Sequence, residues 1–248
     1  MKKKLTKRDV SEIINVLEKV KKVDFVALNK SLQATLDNML ERLKTNTFRL
    51  AVVGEFSSGK STFLNAIIGK DILKHGVQET TATITEIQNL SEAENFDVYY
   101  VNGTTEKEIP MDKLIEYTST SSKLHNVAQD IKKVVIKTRM FDEQTDVCLV
   151  DTPGLNGVAD YHKEKTIELI ESSHACIYLI QVRGLSESDR SFIKLISKYQ
   201  HNIIFVQNFI DALKESESET PEQKVNEQKK ILEKIFSEEE YDIKYSVV

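Results

Sequence analysis

One stretch constrains this chain more than any other: Gly54-Glu55-Phe56-Ser57-Ser58-Gly59-Lys60-Ser61, the pattern G-x-x-x-x-G-K-[ST]. Ahead of it, Phe48 to Val53 is a short apolar run that reads as a buried strand. Behind it, Ser61 to Gly69 reads as a helix closed by a glycine C-cap. A loop of that length between strand and helix wraps closely around an anion. Its end glycines admit close approach, and its N–H groups and the helix N-terminus face the charge. Lys60 is placed to reach β- and γ-phosphates and Ser61 to coordinate Mg²⁺. Four specified positions coincide by chance in about one chain in a hundred of this size. The flanking strand and helix remove most of that remainder. Gly54 through Thr62 are therefore the candidate phosphate-binding residues.

A second motif, Asp151-Thr152-Pro153-Gly154, follows the apolar strand Val147–Val150. An acidic residue at a strand's C-terminal end can hold Mg²⁺ through water, and Gly154 leaves its N–H free to approach a γ-phosphate. Together the two motifs define a nucleotide-triphosphate switch. Between the first helix and the next strand lies Glu79-Thr80-Thr81-Ala82-Thr83-Ile84-Thr85-Glu86. A threonine there can offer its hydroxyl to the metal and its N–H to the phosphate. Thr81 is the candidate, chosen over Thr80 and Thr83, although so many threonines also suit the start of a strand. The metal-ligand candidates are thus Ser61, Thr81 and Asp151.

The base reader is sought after the apolar strand Ile203–Val206, where Asn208-Phe209-Ile210-Asp211 has the spacing N-x-x-D. A guanine reader needs a carboxylate that accepts from the ring N–H and the exocyclic amine. Asp211 fits, with Asn208 beside it. The usual form is N-K-x-D. Phe209 replaces the lysine, so it offers stacking without an ammonium, and an ATP-binding reading stays open. The alternative reading of Asn208 is a plain helix N-cap.

Around these motifs the pattern alternates. Strands fall at 48–53, 83–89, 96–101, 134–137, 146–150, 175–181 and 202–207, with helices at 111–118, 161–173, 186–199 and 222–237. Alternation of that kind predicts an α/β fold, a P-loop NTPase with a mostly parallel central sheet flanked by helices. Residues 96–140 interrupt it with extra antiparallel strands, and Asn102-Gly103 marks a hairpin. Residues 8–45 hold no Gly or Pro and carry two apolar stripes, Val10-Ile13-Ile14-Leu17 and Leu32-Leu36-Met39-Leu40-Leu43. They read as helices at 8–22 and 26–45, either packing as a hairpin on their own domain or docking on helices from another segment.

These residues carry a resemblance. Gly-Glu-Phe-Ser-Ser-Gly-Lys-Ser-Thr-Phe-Leu-Asn-Ala, with Thr-Thr-Ala-Thr-Ile-Thr-Glu-Ile and Asp-Thr-Pro-Gly-Leu, is similar to the bacterial dynamin-like proteins over about residues 8–248. The resemblance implies a GTPase head that binds GTP and GDP with Mg²⁺ and pairs as a homodimer through its nucleotide face. It also implies a membrane-remodelling role, reached through segments absent from this chain. Lys60 and Ser61 correspond to the family's phosphate and magnesium residues. Thr81 matches its switch threonine, Asp151 and Gly154 its second switch, and Asn208 and Asp211 its base pair. Ser57 stands where the family can hold a charge-compensating cation or touch the phosphates, so Ser57, Lys60 and Thr81 are the catalytic candidates. Phe56 occupies the place of the catalytic Gln of eukaryotic dynamins, and Leu155 that of the Ras-type Gln, so no water-positioning side chain is identified. The organisation implied is an N-terminal helical segment, 1–46, like a neck or bundle, and a dynamin-type GTPase domain, 47–248. In that scheme the domain is truncated near its C-terminal end, with a final strand at Ile243–Val248 and the stalk beyond it.

Composition narrows the rest. With 34 Lys+Arg against 39 Asp+Glu, the net charge of −5 gives no generally basic surface, so nucleic acid is not an expected partner. An assembly GTPase acting on RNA or ribosomes shares the motifs but is weakened by the same acidity. A regulatory module that hydrolyses little fits them too. No apolar run approaches the roughly 20 residues that span a bilayer, so the chain reads as cytoplasmic, with a peripheral place at the inner membrane face left open. Lys2–Lys4 are marginal as a lipid anchor. Cys148 and Cys176, the only cysteines, read as buried core thiols. The histidines at 75, 125, 162, 174 and 201 show no metal spacing.

Overall fold

A computed structural model describes residues 7–44, 47–55, 57–73, 83–90, 94–119, 127–141, 146–152, 160–212, 220–237 and 244–247. The chain divides into two compact units, Met1–Thr47 and Phe48–Val248.

In the first unit, α1 (Lys7–Val20), α2 (Asp24–Ala27) and α3 (Lys30–Lys44) follow one another. The second helix expected from the apolar stripe is interrupted. Asn29 turns its Oδ1 to the N–H groups of Ser31 and Leu32, both at 3.1 Å, and so caps α3. An asparagine at that position competes with the helix for its own backbone. Leu40 is buried, whereas Val16, Phe25, Leu28 and Met39 are exposed.

Among the described residues the second unit is one nine-stranded sheet in the order β4-β3-β5-β2-β6-β1-β7-β8-β9. The strands are β1 (Phe48–Gly54), β2 (Ile84–Asn89), β3 (Asn95–Tyr100), β4 (Thr105–Pro110), β5 (Ile131–Thr138), β6 (Val147–Asp151), β7 (Ala175–Ile180), β8 (Asn202–Gln207) and β9 (Lys244–Val247). The helices of this unit are α4 (Lys60–Ile68), α5 (Leu114–Thr118), α6 (Val127–Asp130), α7 (Asp160–Ser172), α8 (Glu187–Ile196) and α9 (Pro221–Ser237). From β6 to β9 all neighbours are parallel. The reversal begins earlier than expected, at β2, which runs against β6 with Glu86 opposite Val150. β5 then runs parallel to β2, while β3 and β4 each run antiparallel to the preceding strand in the sheet. The Asn102-Gly103 turn joins β3 to β4 as expected, with Asn102 Oδ1 accepting from Thr104 N at 2.9 Å.

Side-chain alternation sorts these strands into two faces. One face packs Val52, Leu149, Ile87, Ile136, Phe96 and Leu179 with Leu64 and Ile68 of α4 and Leu114 of α5. The other packs Val53, Tyr178, Ile180 and Phe205 with Ile193 of α8 and Leu232 of α9. Under β2, β5 and β3 that second face turns ionic: Glu86 takes Arg49 at 2.9 Å and Lys133 at 3.2 Å, and Asp97 takes Lys137 at 2.7 Å. Cys148 and Cys176 are buried, and burial raises the Cys148 thiol to about 12. Among the described residues no helix is long and apolar enough to cross a membrane.

Candidate functional site

The site lies at the C-terminal ends of the parallel strands, where loops leave the sheet and ligands gather in open α/β folds. β1 ends at Gly54, and α4 opens at Lys60 after Gly59, whose φ is +84°. A Cβ on Gly59 would lie 2.5 Å from Asn208 Nδ2 and 2.8 Å from Phe209 Cζ, so that residue has no room for a side chain. Ser57 also sits in the left-handed region, at φ 58°, and is exposed at the tip of the loop. Ser58 is fully buried.

Lys60 is 8% exposed. Its ammonium folds back over the loop and donates to Gly54 O at 3.2 Å and Glu55 O at 2.9 Å. Burial pulls it below the usual lysine value, against the opposing pull of Asp151 and Glu55. Burial has cost this ammonium its water, a loss that an anion placed beside it would offset. Beside it, Ser61 Oγ donates to Asp151 Oδ2 at 3.1 Å, so residues 90 positions apart meet at one point. Asp151 is 1% exposed at the end of β6. Hydroxyl and carboxylate oxygens form a hard donor set that suits Mg²⁺, an ion that keeps most of its water and takes few protein ligands. Thr62, on the first turn of α4, stands next in the chain.

The base motif joins the same loop from the other side. Asn208 Nδ2 donates to Ser58 O at 2.9 Å, and Asn208 N donates to Ile180 O at 2.8 Å. Asn208 therefore ties the end of β8 to the phosphate loop and to β7, which is more than a helix cap does. Phe209 takes φ 57° and lays its ring against Gly59. Asp211 stands exposed in a short 3₁₀ turn, Ile210–Ala212.

The structure thus brings Gly54, Glu55, Ser58, Gly59, Lys60, Ser61, Asp151, Asn208 and Phe209 around one loop. Phe56, Thr81, Gly154 and the histidines at 75 and 125 lie outside the described residues, as does the side chain of His162. Thr83, passed over in favour of Thr81, is buried and donates to Ile131 O at 3.2 Å. His174 stacks on Phe48 and accepts from Arg49 N at 3.0 Å, a structural place. Two contributions were not read from the sequence. Thr152 Oγ1 donates to Val52 O at 2.9 Å, pinning the start of the second switch to β1. Glu55 sends its carboxylate away from the loop, toward Arg183, Ser186 and Ser188. A threonine after the motif's aspartate was visible in sequence. The partners of Glu55 lie 128 to 133 residues away and left no local signal.

A strand–loop–helix phosphate cradle, an aspartate meeting its serine and an N-x-x-D turn define a nucleotide-binding α/β switch domain. The family model for the dynamin family matches residues 50–236, and the chain belongs to that family as a dynamin-type GTPase domain. It is similar to the bacterial dynamin-like protein of Nostoc punctiforme, 24% identical over 84% of this chain and 32% of that protein. It is also similar to dynamin-like protein 1 of Campylobacter jejuni, 25% identical over 77% of this chain and 30% of that one. A protein of Caldicellulosiruptor sp. matches at 29% identity over 84% of this chain and 51% of its own length. The chain therefore spans about half or less of these curated relatives. A solved oligomerised bacterial dynamin pair, described as sensing and tethering membranes, shares the fold with a TM-score of 0.63 at 21% identity. That match covers 99% of this chain and 37% of the solved one.

Proposed function

We propose that this chain binds GTP with Mg²⁺ and hydrolyses it by in-line attack of water on the γ-phosphate. The observation that carries the reading is the convergence on one loop of a buried Lys60, the Ser61–Asp151 pair and the Asn208 clasp on Ser58. The backbone N–H groups of the loop and the N-terminus of α4 bind and orient the phosphates. Lys60 stabilises the charge that develops on the transferring group. Ser61 and Asp151, with Thr81, would hold Mg²⁺, which when bound neutralises the β- and γ-oxygens. Asp211 selects guanine by accepting from its ring N–H and amine, and Ser57 faces the phosphates from the loop tip.

With no glutamine at Phe56 or Leu155, turnover by a lone head is slow. Two heads pairing across their nucleotide faces order the switch segments and speed it. The oligomerised pair among the structural neighbours supports self-association, and the dynamin-like relatives support a membrane-associated role. Fluorescent GTP and ATP analogues test the site. Tight GTP binding that is lost in Lys60→Ala is expected, and retained binding in that variant overturns the assignment. Better ATP than GTP binding favours the ATPase reading that Phe209, in place of a lysine, leaves open. Turnover per molecule that stays flat across a wide range of protein concentration overturns the pairing.

A further inference from the structure

The Glu55 side chain has no part in the phosphate chemistry above, yet it is among the most completely buried charged side chains of the described residues, at 3% exposure. A buried carboxylate is costly unless it is paired and hydrogen-bonded. Its partners include the Arg183 guanidinium and the Ser186 hydroxyl, from the segment that joins β7 to α8, and the Ser188 hydroxyl on the first turn of α8.

That segment is fixed without the loop's help. Ser186 caps α8 in a reciprocal box with Asp189, and Asp189 Oδ1 accepts from the buried Tyr178 hydroxyl at 2.6 Å. From the other side, the α9 residue Gln228, 1% exposed, accepts from Leu185 N at 3.0 Å. Gly184, at φ +88°, would bring a Cβ within 2.7 Å of Gln228 Nε2. At the start of the segment, Gln207 Nε2 donates to Gln181 O at 2.6 Å. The residue before the base motif therefore holds the same turn.

Through its side chain Glu55 grips this fixed turn, and its own carbonyl is one of the two that hold Lys60 Nζ. That carbonyl also accepts from Ser58 N at 3.2 Å. Anchoring the side chain fixes the rotation of the peptide and with it the seat of the lysine. We propose that Glu55 is a positioning residue: its clasp on Arg183, Ser186 and Ser188 sets the peptide that presents Lys60 to a nucleoside triphosphate. The inference rests on the phosphate-binding half of the proposed function and not on the choice of base.

The pair is unequally buried, with Arg183 61% exposed against 3% for Glu55. Losing Glu55 leaves Arg183 in water and releases the peptide, while losing Arg183 leaves the carboxylate still held by the Ser186 and Ser188 hydroxyls. The test is a double-mutant cycle on the whole chain, read as affinity for mant-GTP, mant-ATP and inorganic tripolyphosphate well below the melting temperature. Glu55→Ala should weaken all three ligands by about tenfold or more, about 1.4 kcal/mol or more in binding free energy. Arg183→Ala should lose less, and the double variant should bind no worse than Glu55→Ala. Glu55→Gln keeps an acceptor for the serines and should fall between wild type and Glu55→Ala. It also serves as the folded control should the alanine variant not fold.

The phosphorus NMR signals of bound triphosphate should shift in the variants, which a merely structural loss would not cause. Lower melting temperatures with unchanged affinities and unchanged phosphorus shifts overturn the proposal, as does strict additivity in the cycle. A wild type that prefers ATP sinks the guanine reading and leaves this test standing. A wild type that binds none of the three ligands sinks both.

Discussion

The two halves of the sheet solve burial differently. From β6 to β7 the parallel strands are largely covered on both faces, and β7 is buried along its whole length. In the flank from β2 to β4 one face joins the apolar core, and the other carries the Arg49–Glu86–Lys133 and Asp97–Lys137 ion pairs. Parallel strands with helices on both sides demand continuous apolar runs, whereas antiparallel ones tolerate a polar face. Among the described residues the candidate site grows from the first half. Its loops are held by backbone geometry and by specific polar clasps, Asn208 on Ser58 and Glu55 on Arg183, Ser186 and Ser188. The flank is held on one face by charges, which stabilise but locate less exactly what lies around them.

Separating site function from sheet stability is therefore the way to break this comparison, and the largest effect belongs to the parallel half. Gly59→Ala forces a Cβ into Asn208 and Phe209 at a positive φ. Backbone strain and overpacking each cost about 1–3 kcal/mol. Nucleotide affinity should fall by at least about a hundredfold. A near-normal affinity by titration with fluorescent nucleotide would mean that the loop is not seated as described.

Next comes the charged face. Glu86→Gln leaves Arg49 and Lys133 without their shared carboxylate. Breaking a buried pair costs about 3–5 kcal/mol, and the 30% exposure of Lys133 reduces that figure. A loss of about 2–3 kcal/mol in urea unfolding is expected, with nucleotide affinity at saturating stability unchanged.

Acid gives the same contrast a pH signature. Burial alone would raise the Glu86 carboxyl, but Arg49 and Lys133 outweigh it and hold it below its ordinary 4.5. A depressed carboxyl contributes stability that is present above its unfolded value and disappears as pH falls through the folded one. Wild type should therefore lose stability below about pH 4.5 more steeply than Glu86→Gln. Equal acid slopes would remove Glu86 from the account.

The smallest effect is at the rim. Lys70, 38% exposed, pairs with Glu94, 47% exposed. Lys70→Ala should cost less than about 1 kcal/mol and leave binding untouched. A larger loss would show that charges order the flank more firmly than its exposure suggests.

Legibility in the sequence follows the same line. The phosphate loop, the Asp151 strand end and the Asn208 turn could be read directly, because each is a short pattern whose chemistry is carried by neighbours in the chain. The helices at 160–172, 187–196 and 221–237 followed from their spacing. Asn29 was missed as a cap because it lies within the Gly- and Pro-free span 26–45 read as one helix, just ahead of the stripe that begins at Leu32. The reversal at β2 was missed because alternation of side chains is the same in either strand direction.

What the sequence determined by itself is the local machinery: glycines at Gly54 and Gly59 where no side chain fits, a lysine and serine at the helix start, and a carboxylate at the end of β6. These depend on covalent spacing and backbone freedom, which the order of residues sets. What only the tertiary structure decided is where the side chains between them go. Glu55 reads as one more loop residue until residues more than 120 positions away close on its carboxylate. Glu86 reads as a polar position in a strand until Arg49 and Lys133 arrive from either side. Such choices turn on desolvation and pairing through space, and those exist only once the sheet has formed.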